Sequence, residues 1–543
     1  MQSNNTPSLL HLMVLIWALI ATSWTTYTAQ IIEMDYACFE SSNIPIVLIE
    51  TQGLTILDHP RISAEMKVID NGPDSRNYVT DTLYTYQGNI SIEIRGSSSQ
   101  FTEKKQYGFE TQTPDGQNHN TPLLGLPKEN DWILHAPYSD KTLVRNSLAY
   151  HISSQLGEYA PRTRACELVL NGEYRGVYIL TEKIKRDNNR LDITEDGGYI
   201  LKIDKMTGYE CEEVLRTDLG SMDLQYDYPD CDEITTEQQS YIDNYINAFE
   251  QALYDENFLD YEFGYRAFFE TDAFINYFIC NELAKNIDAY RSSTFLHKEN
   301  NSSKLRMGPV WDLNLGFGNV DFLDGHTTSG LIGARTEIIP MYQFKPNPWI
   351  ERLLEDTVLV EEINARWMDL RSGLLSNDNL VAIVDSLTGE LAEAQDRNFQ
   401  KWTVMGRRVW PNFFVGSTYA EEVGFMKGWL INRANWLDKN ITGAYLHQPT
   451  FEEFEATIFP NPFTYFFTYA FSLKQESSVT LKIISPNGSQ PNYILKDSPF
   501  PAGDHQLTWN SYINGHLIPS TYYILVLEVN GQVVSREVVV KRL

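Results

Sequence analysis

The sequence is poor in cysteine and histidine, the residues on which thiol catalysis and most zinc sites depend. Its 543 residues include five cysteines and ten histidines, without a Cys-x-x-Cys pair or a cysteine–histidine spacing typical of zinc ligands. Cys280 lies in the apolar run AFINYFIC and is expected to be a small buried side chain. The cysteine content therefore argues against thiol chemistry.

Basic residues are also few. The chain carries 43 Lys and Arg against 72 Asp and Glu, a net charge of −29, whereas binding to a nucleic-acid backbone requires a basic surface. We therefore expect no nucleic-acid partner, and the charge suits a protein that stays dispersed outside the cell. With 42% hydrophobic and 13% aromatic residues the chain is globular, and its length predicts two or three domains.

Apolar runs long enough to cross a bilayer are missing after the N-terminus. The run at residues 9–21 is shorter than a membrane span and has the length of a signal-peptide core. We predict a signal peptide over residues 1–29, cleaved near Ala29, with an N-terminal membrane anchor as the alternative. Export would also allow a disulfide between Cys211 and Cys231, which bracket an acidic loop.

Residues 43–110 show short β-type runs separated by Gly, Pro, Asn and Asp turns. Between the last two runs lies the loop GSSSQFTEKK, which ends in Lys104 and Lys105. A glycine- and serine-rich loop between strands can place backbone N–H groups over phosphates. The alternative is an ordinary turn with two solvated lysines.

A helix is predicted in the segment that follows DWILHAPY. Ser139 or Asp140 is a suitable cap, and apolar residues recur at helical spacing until Gly157. The first turn carries Lys141 and Arg145, which the helix dipole does not favour at that end. These cations indicate either a bound anion or an exposed face.

The middle of the chain reads as a hairpin, two helices and a longer helical region. Asn171 and Gly172 are a hairpin-turn signal. Helices are predicted over Glu237–Phe258 and Thr271–Ala284. The region Pro348–Asp438 is largely helical, with Trp and Leu at the spacing of ordinary core residues.

The composition changes near Glu455. From Thr457 onward six Lys and Arg face five Asp and Glu, and runs such as SVTLKIIS and TYYILVLEVN alternate apolar and polar residues. We predict a linker over residues 446–456 and a small all-β sandwich over residues 457–543, which is close to the minimum size that folds alone.

The most informative stretch runs from residue 281 to residue 319. Two apolar runs, STFL and LRMGPVW, flank the polar turn HKENNSSK, which predicts a hairpin. Asn286 and Asp288 precede the first run, and Asp312 and Asn314 follow the second. Because a hairpin brings its two ends together, these side chains are expected to meet in a seat for a hard divalent cation. The alternative is that they are strand-end caps and turn residues.

Six blocks of the chain, in order, resemble the CotH spore-coat protein kinase family. They are SIEIRGSSSQFTEKKQYGFET, LLGLPKENDWILHAPYSDKTLVRN, ELVLNGEYRGVYILTEKI, GGYILKID, NELAKNIDAYRSSTFLHKE and GPVWDLNLGFGN. The resemblance covers about residues 43–440 and implies an atypical kinase that phosphorylates Ser or Thr of protein substrates, with ATP and Mg²⁺ or Mn²⁺. The expected fold class is α+β, with a reduced atypical protein-kinase-like fold over residues 30–445 followed by the β-sandwich.

The same resemblance assigns roles to the residues of the hairpin. Asp288 matches the catalytic Asp, and Asp312 matches the magnesium-binding Asp. Asn286 and Asn314 are near enough to assist in binding the metal. Asn314 stands in WDLN, where many relatives carry a second carboxylate, and this change would lower the charge of the site.

The loop RGSSS resembles the loop that covers the phosphates in this family. The residues assigned to cofactor binding in this loop are Arg95, Gly96, Ser97 and Ser98. Either Lys104 or Lys105 is expected to be the phosphate-binding lysine, and the sequence leaves the choice open. Glu182 and Lys183, in ILTEKI, fall where a segment beside the adenine would lie.

The tail resembles a C-terminal type A sorting domain of the type IX secretion system. The resemblance rests on FPNPFTYFFTYAFSL, PAGDHQLTWN and TYYILVLEVNGQVVSREVVVKRL. Such domains are typical of Bacteroidota. Together with the signal peptide, the tail implies export to the cell surface or medium, with the type IX machinery as a partner and no transmembrane span in the mature protein.

Two other functions fit parts of the pattern. A non-catalytic, CotH-like surface adhesion or binding protein would use the acidic face and the aromatic-rich helices for interaction. A metal-dependent hydrolase would need a water-activating base beside the metal. His297 lies near the turn of the predicted hairpin rather than at its convergent end.

Overall fold

The computed structural model describes residues 39–335 and 346–441, apart from several positions between 207 and 221, and most of 456–541. The predicted signal peptide and most of the predicted linker lie outside the described residues. The contacts of the chain divide it into two compact units, Met1–Leu446 and His447–Leu543.

The first unit contains both strands and helices. In chain order, its described strands are β1 (Ser41–Ser42), β2 (Ile46–Glu50), β3 (Ile62–Ile69), β4 (Asn77–Tyr78), β5 (Tyr86–Ile94), β6 (Tyr107–Gln112), β7 (Thr121–Leu123), β8 (Leu126–Glu129), β9 (Asp131–His135), β10 (Thr163–Leu170), β11 (Glu173–Glu182), β12 (Tyr199–Ile203), β13 (Leu215–Arg216), β14 (Asp223–Tyr228), β15 (Thr294–Lys298) and β16 (Leu305–Met307). Its described α-helices are α1 (Arg145–Gln155), α2 (Thr236–Tyr254), α3 (Thr271–Ala284), α4 (Pro348–Leu353), α5 (Thr357–Arg371), α6 (Asn377–Glu390), α7 (Ala394–Lys401) and α8 (Tyr419–Asn440).

Seven of these strands close into a barrel in the order β10-β11-β9-β6-β5-β3-β2, antiparallel except where β10 pairs with β2. Apolar side chains on alternate positions, such as Ile90, Phe109 and Leu134, fill its interior. The predicted hairpin between β10 and β11 is confirmed. Asn171 and Gly172 have φ of 49° and 74°, the positive values that a two-residue hairpin turn requires.

A second sheet has the order β13-β14-β12-β15-β16 and is antiparallel throughout. The predicted hairpin of β15 and β16 is confirmed, with Leu296 opposite Met307. On the other side of β15 lies β12, whose last residue, Ile203, pairs with Thr294 at the start of β15. The end of β12 and the start of β15 therefore lie at one edge of the sheet.

The helices largely agree with the sequence pattern. The helical region predicted over Pro348–Asp438 is confirmed by α4 to α8, and α3 has the predicted bounds. The helix α2 ends at Tyr254, where the predicted helix continues to Phe258. Apolar side chains of these helices and of the second sheet, including Phe249 and Leu296, share one core.

The helix α1 begins later than predicted, with Val144 rather than Ser139 or Asp140 as its N-cap residue. Asp140 instead binds the guanidinium of Arg145, with 2.5 Å between its Oδ1 and Nη1 of the arginine. The Nζ atom of Lys141 lies 3.6 Å from Oε1 of Glu422. Both cations are thus paired with buried carboxylates of the chain, so the two predicted alternatives, a bound anion and an exposed face, are both wrong.

A buried ion pair holds α3 against α8. Glu282 and Arg433 have fully buried side chains, with 3.2 Å between Oε2 and Nη2. The carboxylate also accepts hydrogen bonds from the backbone N–H groups of Ile332 and Gly333. Because each charge has partners, the pair fixes the end of α3, from which the hairpin segment begins.

The predicted disulfide between Cys211 and Cys231 is confirmed, with Cα atoms 6.2 Å apart. Cys280 is a buried free thiol, as expected, and so is Cys166. In the part of the chain that the structure describes, no helix has the length and apolar composition needed to cross a membrane.

The described regular elements of the second unit are strands. They are β17 (Ala456–Phe459), β18 (Phe466–Leu473), β19 (Ser477–Ile484), β20 (Asn492–Phe500), β21 (Gly503–Asn510), β22 (Tyr512–Ile513), β23 (His516–Leu517), β24 (Tyr522–Val529) and β25 (Gln532–Val540). Most form a three-stranded sheet, β17-β18-β21, and a four-stranded sheet, β20-β19-β24-β25. Phe467, Leu481 and Leu525 contribute to a core common to both sheets. The chain is α+β as predicted, while the sandwich and the reduced kinase-like fold stay predictions.

Candidate active site

A cleft of about 1570 Å³ opens in the first unit. Residues at or beyond the ends of β5, β9 and β11 contribute to its lining, together with residues next to the ends of β12, β15 and β16. The carboxylates of its lining include those of Asp204, Asp288 and Asp312, and its cations include Arg95 and Lys202. The cleft therefore gathers charges of both signs at the edge of the second sheet.

Asp312 follows β16 and has a left-handed backbone, with φ of 58°. Its backbone N–H donates a hydrogen bond to the hydroxyl of Tyr150, 3.2 Å away. The residue is exposed to the cleft, whose walls displace part of the water around its carboxylate. This partial desolvation, and then the negative charge of Asp288, raise the pKa of Asp312 to about 6, although the guanidinium of Arg95 acts in the opposite direction.

Asp288 lies in the short segment between α3 and β15. Its Oδ1 is 2.5 Å from Nη2 of Arg291. Its backbone N–H donates to Oδ1 of Asn286, 3.2 Å away. Asn286 is only 3% exposed, and its amide nitrogen donates to Oδ1 of Asn281. Asn286 thus shapes the turn that carries Asp288 and does not line the cleft, whereas Asn314 does line it.

Sequence reasoning missed Lys202 and Asp204. Nζ of Lys202 lies 2.6 Å from Oδ2 of Asp204, and Ser292 donates from its hydroxyl to Oδ1 over 2.7 Å. Burial alone would raise the pKa of Asp204, but Lys202 and Ser292 outweigh it and hold the pKa below the usual value. The sequence does carry a signal for Asp204, because this carboxylate stands directly after the strand YILKI in GGYILKID, one of the six blocks that resemble the family.

Arg95, at the end of β5, is the cation that faces Asp312. Its guanidinium carbon lies 5.8 Å from the ring centroid of Trp311. Burial lowers the pKa of Arg95, while the charge of Asp312 acts to raise it. Within the described residues no side chain forms a hydrogen bond or ion pair with this guanidinium, so its donors are available in the cleft.

The loop after Arg95 lines the cleft with Gly96, Ser97 and Ser98. Gly96 has φ of 102°, and a Cβ atom there would lie 2.0 Å from Oγ of Ser99. Only glycine fits this position, because it tolerates both the left-handed backbone and the close approach. The structure therefore places the predicted loop residues together on the cleft wall.

Neither Lys104 nor Lys105 lines the cleft, contrary to the expectation that one of them binds phosphate. Nζ of Lys104 is buried and donates to the carbonyl of Val177 and to Oδ1 of Asn398, and burial lowers its pKa to about 7. Nζ of Lys105 donates to two backbone carbonyls in the loop that follows Arg95. Both lysines brace the backbone.

Glu182 is also directed away from the cleft. Its buried carboxylate lies 2.9 Å from Nη2 of Arg162 and accepts a hydrogen bond from the hydroxyl of Tyr159. Its neighbours in the chain do reach the cleft, where Ile184 joins Ile94 and Ile133 among the lining residues. The segment thus reaches the cleft, whereas its glutamate is held by partners inside the protein.

Comparison with known proteins gives one match that covers most of the first unit. A family model described as CotH kinase protein matches residues 92–437. No curated protein matches the chain.

Two solved structures show a weaker likeness. The alkylpurine DNA glycosylase AlkC of Pseudomonas fluorescens, bound to DNA containing an abasic site analog, is 9% identical over 38% of this chain and 54% of that chain, with a TM-score of 0.14. The proinflammatory kinase CtkA of Helicobacter pylori is 10% identical over 72% of this chain and 97% of that chain, with a TM-score of 0.21. This chain thus spans about half the length of the glycosylase, and at these TM-scores neither likeness carries an argument.

Proposed function

The chain belongs to the CotH kinase protein family, and on that premise we propose that it is a protein kinase. It transfers the γ-phosphate of ATP to Ser or Thr of a protein substrate with the help of Mg²⁺ or Mn²⁺. One observation carries the proposal. Arg95 lines the same cleft as the carboxylates of Asp204, Asp288 and Asp312, and the charge of Asp312 acts on it. Within the described residues no side chain forms an ion pair with its guanidinium. A metal–triphosphate supplies a cation for the carboxylates and anionic phosphate oxygens for the guanidinium of Arg95.

The carboxylates fit a hard divalent cation. Asp312 has a pKa raised to about 6, by desolvation in the cleft and by the charge of Asp288, and a bound cation would relieve both effects. Asp312 and Asn314 would hold the cation through oxygen atoms, the ligands that Mg²⁺ and Mn²⁺ prefer. The cation would supply neutralisation of the charge that develops on the transferred phosphoryl group.

The remaining residues have roles in positioning. The guanidinium of Arg95 would hold phosphate oxygens through several N–H donors. Asp288, the family's catalytic position, would orient the incoming hydroxyl and accept its proton. The apolar side chains of Ile94, Ile133 and Ile184 offer a surface for the adenine.

We also propose export through the signal peptide and the type IX tail. The support is the apolar run at residues 9–21, the similarity of the tail to a sorting domain, and the disulfide between Cys211 and Cys231. Disulfides persist in oxidising compartments and are rare in the cytosol.

A thermal shift experiment tests nucleotide binding by the full chain. We expect MnCl₂ with ATP to raise the melting temperature of the parent, because a ligand that binds only the folded state stabilises it. Arg95→Met is expected to lose most of this shift. Absence of any shift in the parent contradicts the proposal and favours a non-catalytic binding protein.

Lys104→Met is the matched control, since it also removes one cation near the same loop. It leaves the carbonyl of Val177 and Oδ1 of Asn398 without this donor, so the melting temperature is expected to fall. The ATP-induced shift is expected to remain, because the lysine does not line the cleft. If Lys104→Met loses the ATP-induced shift and Arg95→Met keeps it, Lys104 rather than Arg95 binds the phosphates.

A further inference from the structure

One wall of the cleft contains a buried amide that lacks a partner. Asn146 lines the cleft, is 8% exposed, and within the described residues its Oδ1 has no hydrogen-bond donor. The adjacent guanidinium of Arg145 does not serve it, since that group is bound to Asp140 and Thr142. A buried acceptor without a donor costs folding stability, so its presence beside a cleft indicates a ligand.

The position of Asn146 on α1 places it near the part of the cleft that contains Asp312. Asn146 and Tyr150 are four residues apart on α1, and side chains at this spacing lie on the same face of a helix, roughly 6 Å apart along its axis. The hydroxyl of Tyr150 accepts the hydrogen bond from the backbone N–H of Asp312. Asn146 therefore stands one helical turn from the residue that positions the proposed metal-binding carboxylate.

The unpaired atom also restricts the chemistry of the ligand. Oδ1 of Asn146 is an acceptor, and the oxygens of an ionised triphosphate are acceptors too, so the two do not pair. A water molecule bound to the cation of the metal–nucleotide is a donor of the kind that this oxygen requires. The apolar residues offered to adenine, Ile94, Ile133 and Ile184, belong to the barrel and to the segment after β11, so the adenine amino group is not the partner.

We propose that Asn146 is a binding residue for the hydrated divalent cation of the metal–nucleotide. Its Oδ1 accepts a hydrogen bond from a water molecule coordinated to the cation that Asp312 holds. Magnesium and manganese keep several waters when bound to nucleotides, and those waters are strong donors. This inference rests on the proposed kinase function, and it adds a residue for which the sequence supplied no role.

Binding of Mn²⁺ to the full chain with a non-hydrolysable ATP analogue tests the proposal without any turnover. Free and bound Mn²⁺ are measured by electron paramagnetic resonance for the parent, Asn146→Leu, Asn146→Asp and Asp312→Asn. We expect roughly tenfold weaker binding in Asn146→Leu, which loses the acceptor. Asn146→Asp keeps an acceptor oxygen and is expected to bind at least as tightly as the parent. Asp312→Asn reports the loss of the direct ligand.

Thermal unfolding without metal separates this role from a structural one. Asn146→Leu removes a buried unpaired oxygen, so its melting temperature is expected to equal or exceed that of the parent. Asn398→Leu is the matched control, since Asn398 is also buried but is bonded to Lys104 and to the N–H of Val177. Its melting temperature is expected to fall.

The possible outcomes are distinct. A parent that does not bind Mn²⁺ with the nucleotide analogue refutes the proposed function itself. A parent that binds, with Asn146→Leu binding equally well, overturns only the role of Asn146. Weaker binding in both Asn146 variants overturns the acceptor assignment, and a lower melting temperature in Asn146→Leu shows a structural residue instead.

Discussion

At the scale of single residues, Asp312 carries a charge that its surroundings disfavour. Its folded-state pKa of about 6 lies above the ordinary value of 3.8. Above pH 6 the folded protein holds an ionised carboxylate that would be better solvated in the unfolded chain. Functional sites often retain such a local loss of folding stability, because a bound ligand removes its cause.

This raised pKa predicts a pH-dependent gain in stability for Asp312→Asn in metal-free buffer. The folded state binds more protons than the unfolded state between about pH 4 and 6, so stability falls as the pH rises through this window. Asparagine carries no charge, so the variant is expected to melt at a higher temperature than the parent at pH 8. The difference should shrink below pH 6 and vanish below pH 4 in calorimetric scans.

Asp204→Asn provides the control of opposite sign. The pKa of Asp204 is lowered by Lys202 and Ser292, so its ionised form stabilises the fold above the ordinary pKa of a carboxyl group. This variant is expected to melt below the parent at pH 8 and to approach it only in strong acid. Equal behaviour of the two variants would contradict the assigned environments.

Several residues predicted from the sequence line the cleft, and others do not. Asp288, Asp312, Asn314 and the loop after Arg95 were predictable, because they stand next to strands in motifs that resemble a family. The resemblance gave the wrong direction for Lys104 and Glu182, since both charges are satisfied inside the protein, that of Lys104 by Asn398, far away in the chain. Pattern reading does not reveal such long-range partners.

At the scale of elements, the hairpin of β15 and β16 brings Asp288 and Asp312 to the same cleft. Its strands were predictable from two apolar runs around a polar turn. The neighbour of β15 was not predictable, because β12 lies about ninety residues earlier and reaches the hairpin only through pairing in the sheet. That pairing delivers Asp204 and Lys202, which explains why the sequence reading missed both.

The disulfide fixes another segment that lines the cleft. Cys211 and Cys231 are separated by 20 residues, and among the cleft residues near them are Tyr209 and Asp227. Closing a loop of this length stabilises a fold by about 3 kcal/mol in the chain-entropy account. Replacing both cysteines with serine is expected to lower the free energy of unfolding by about this amount in urea titrations.

The reduced parent is the control for that measurement. Dithiothreitol should lower the unfolding midpoint of the parent to that of the double serine variant and leave the variant unchanged. A variant with the same midpoint as the oxidised parent would show that the disulfide adds no stability.

At the scale of the whole molecule, charge and architecture change together near residue 447. The second unit begins there, and from Thr457 onward basic and acidic residues nearly balance, so that almost all of the net charge of −29 lies upstream. The change in composition lies about ten residues beyond this boundary. The barrel was not predictable from the sequence, because its closure depends on the parallel pairing of β2 with β10, more than a hundred residues apart.

The central claim is that the cleft of the first unit transfers phosphate. Its most direct test is transfer of radiolabelled phosphate from ATP, with Mg²⁺ or Mn²⁺, to the chain itself and to a generic protein. Asp288→Ala and Asp312→Ala are measured beside the full-length parent, with circular dichroism to verify folding. We predict transfer by the parent and at least about a hundredfold less by either variant. A parent without transfer, or variants as active as the parent, would contradict the account.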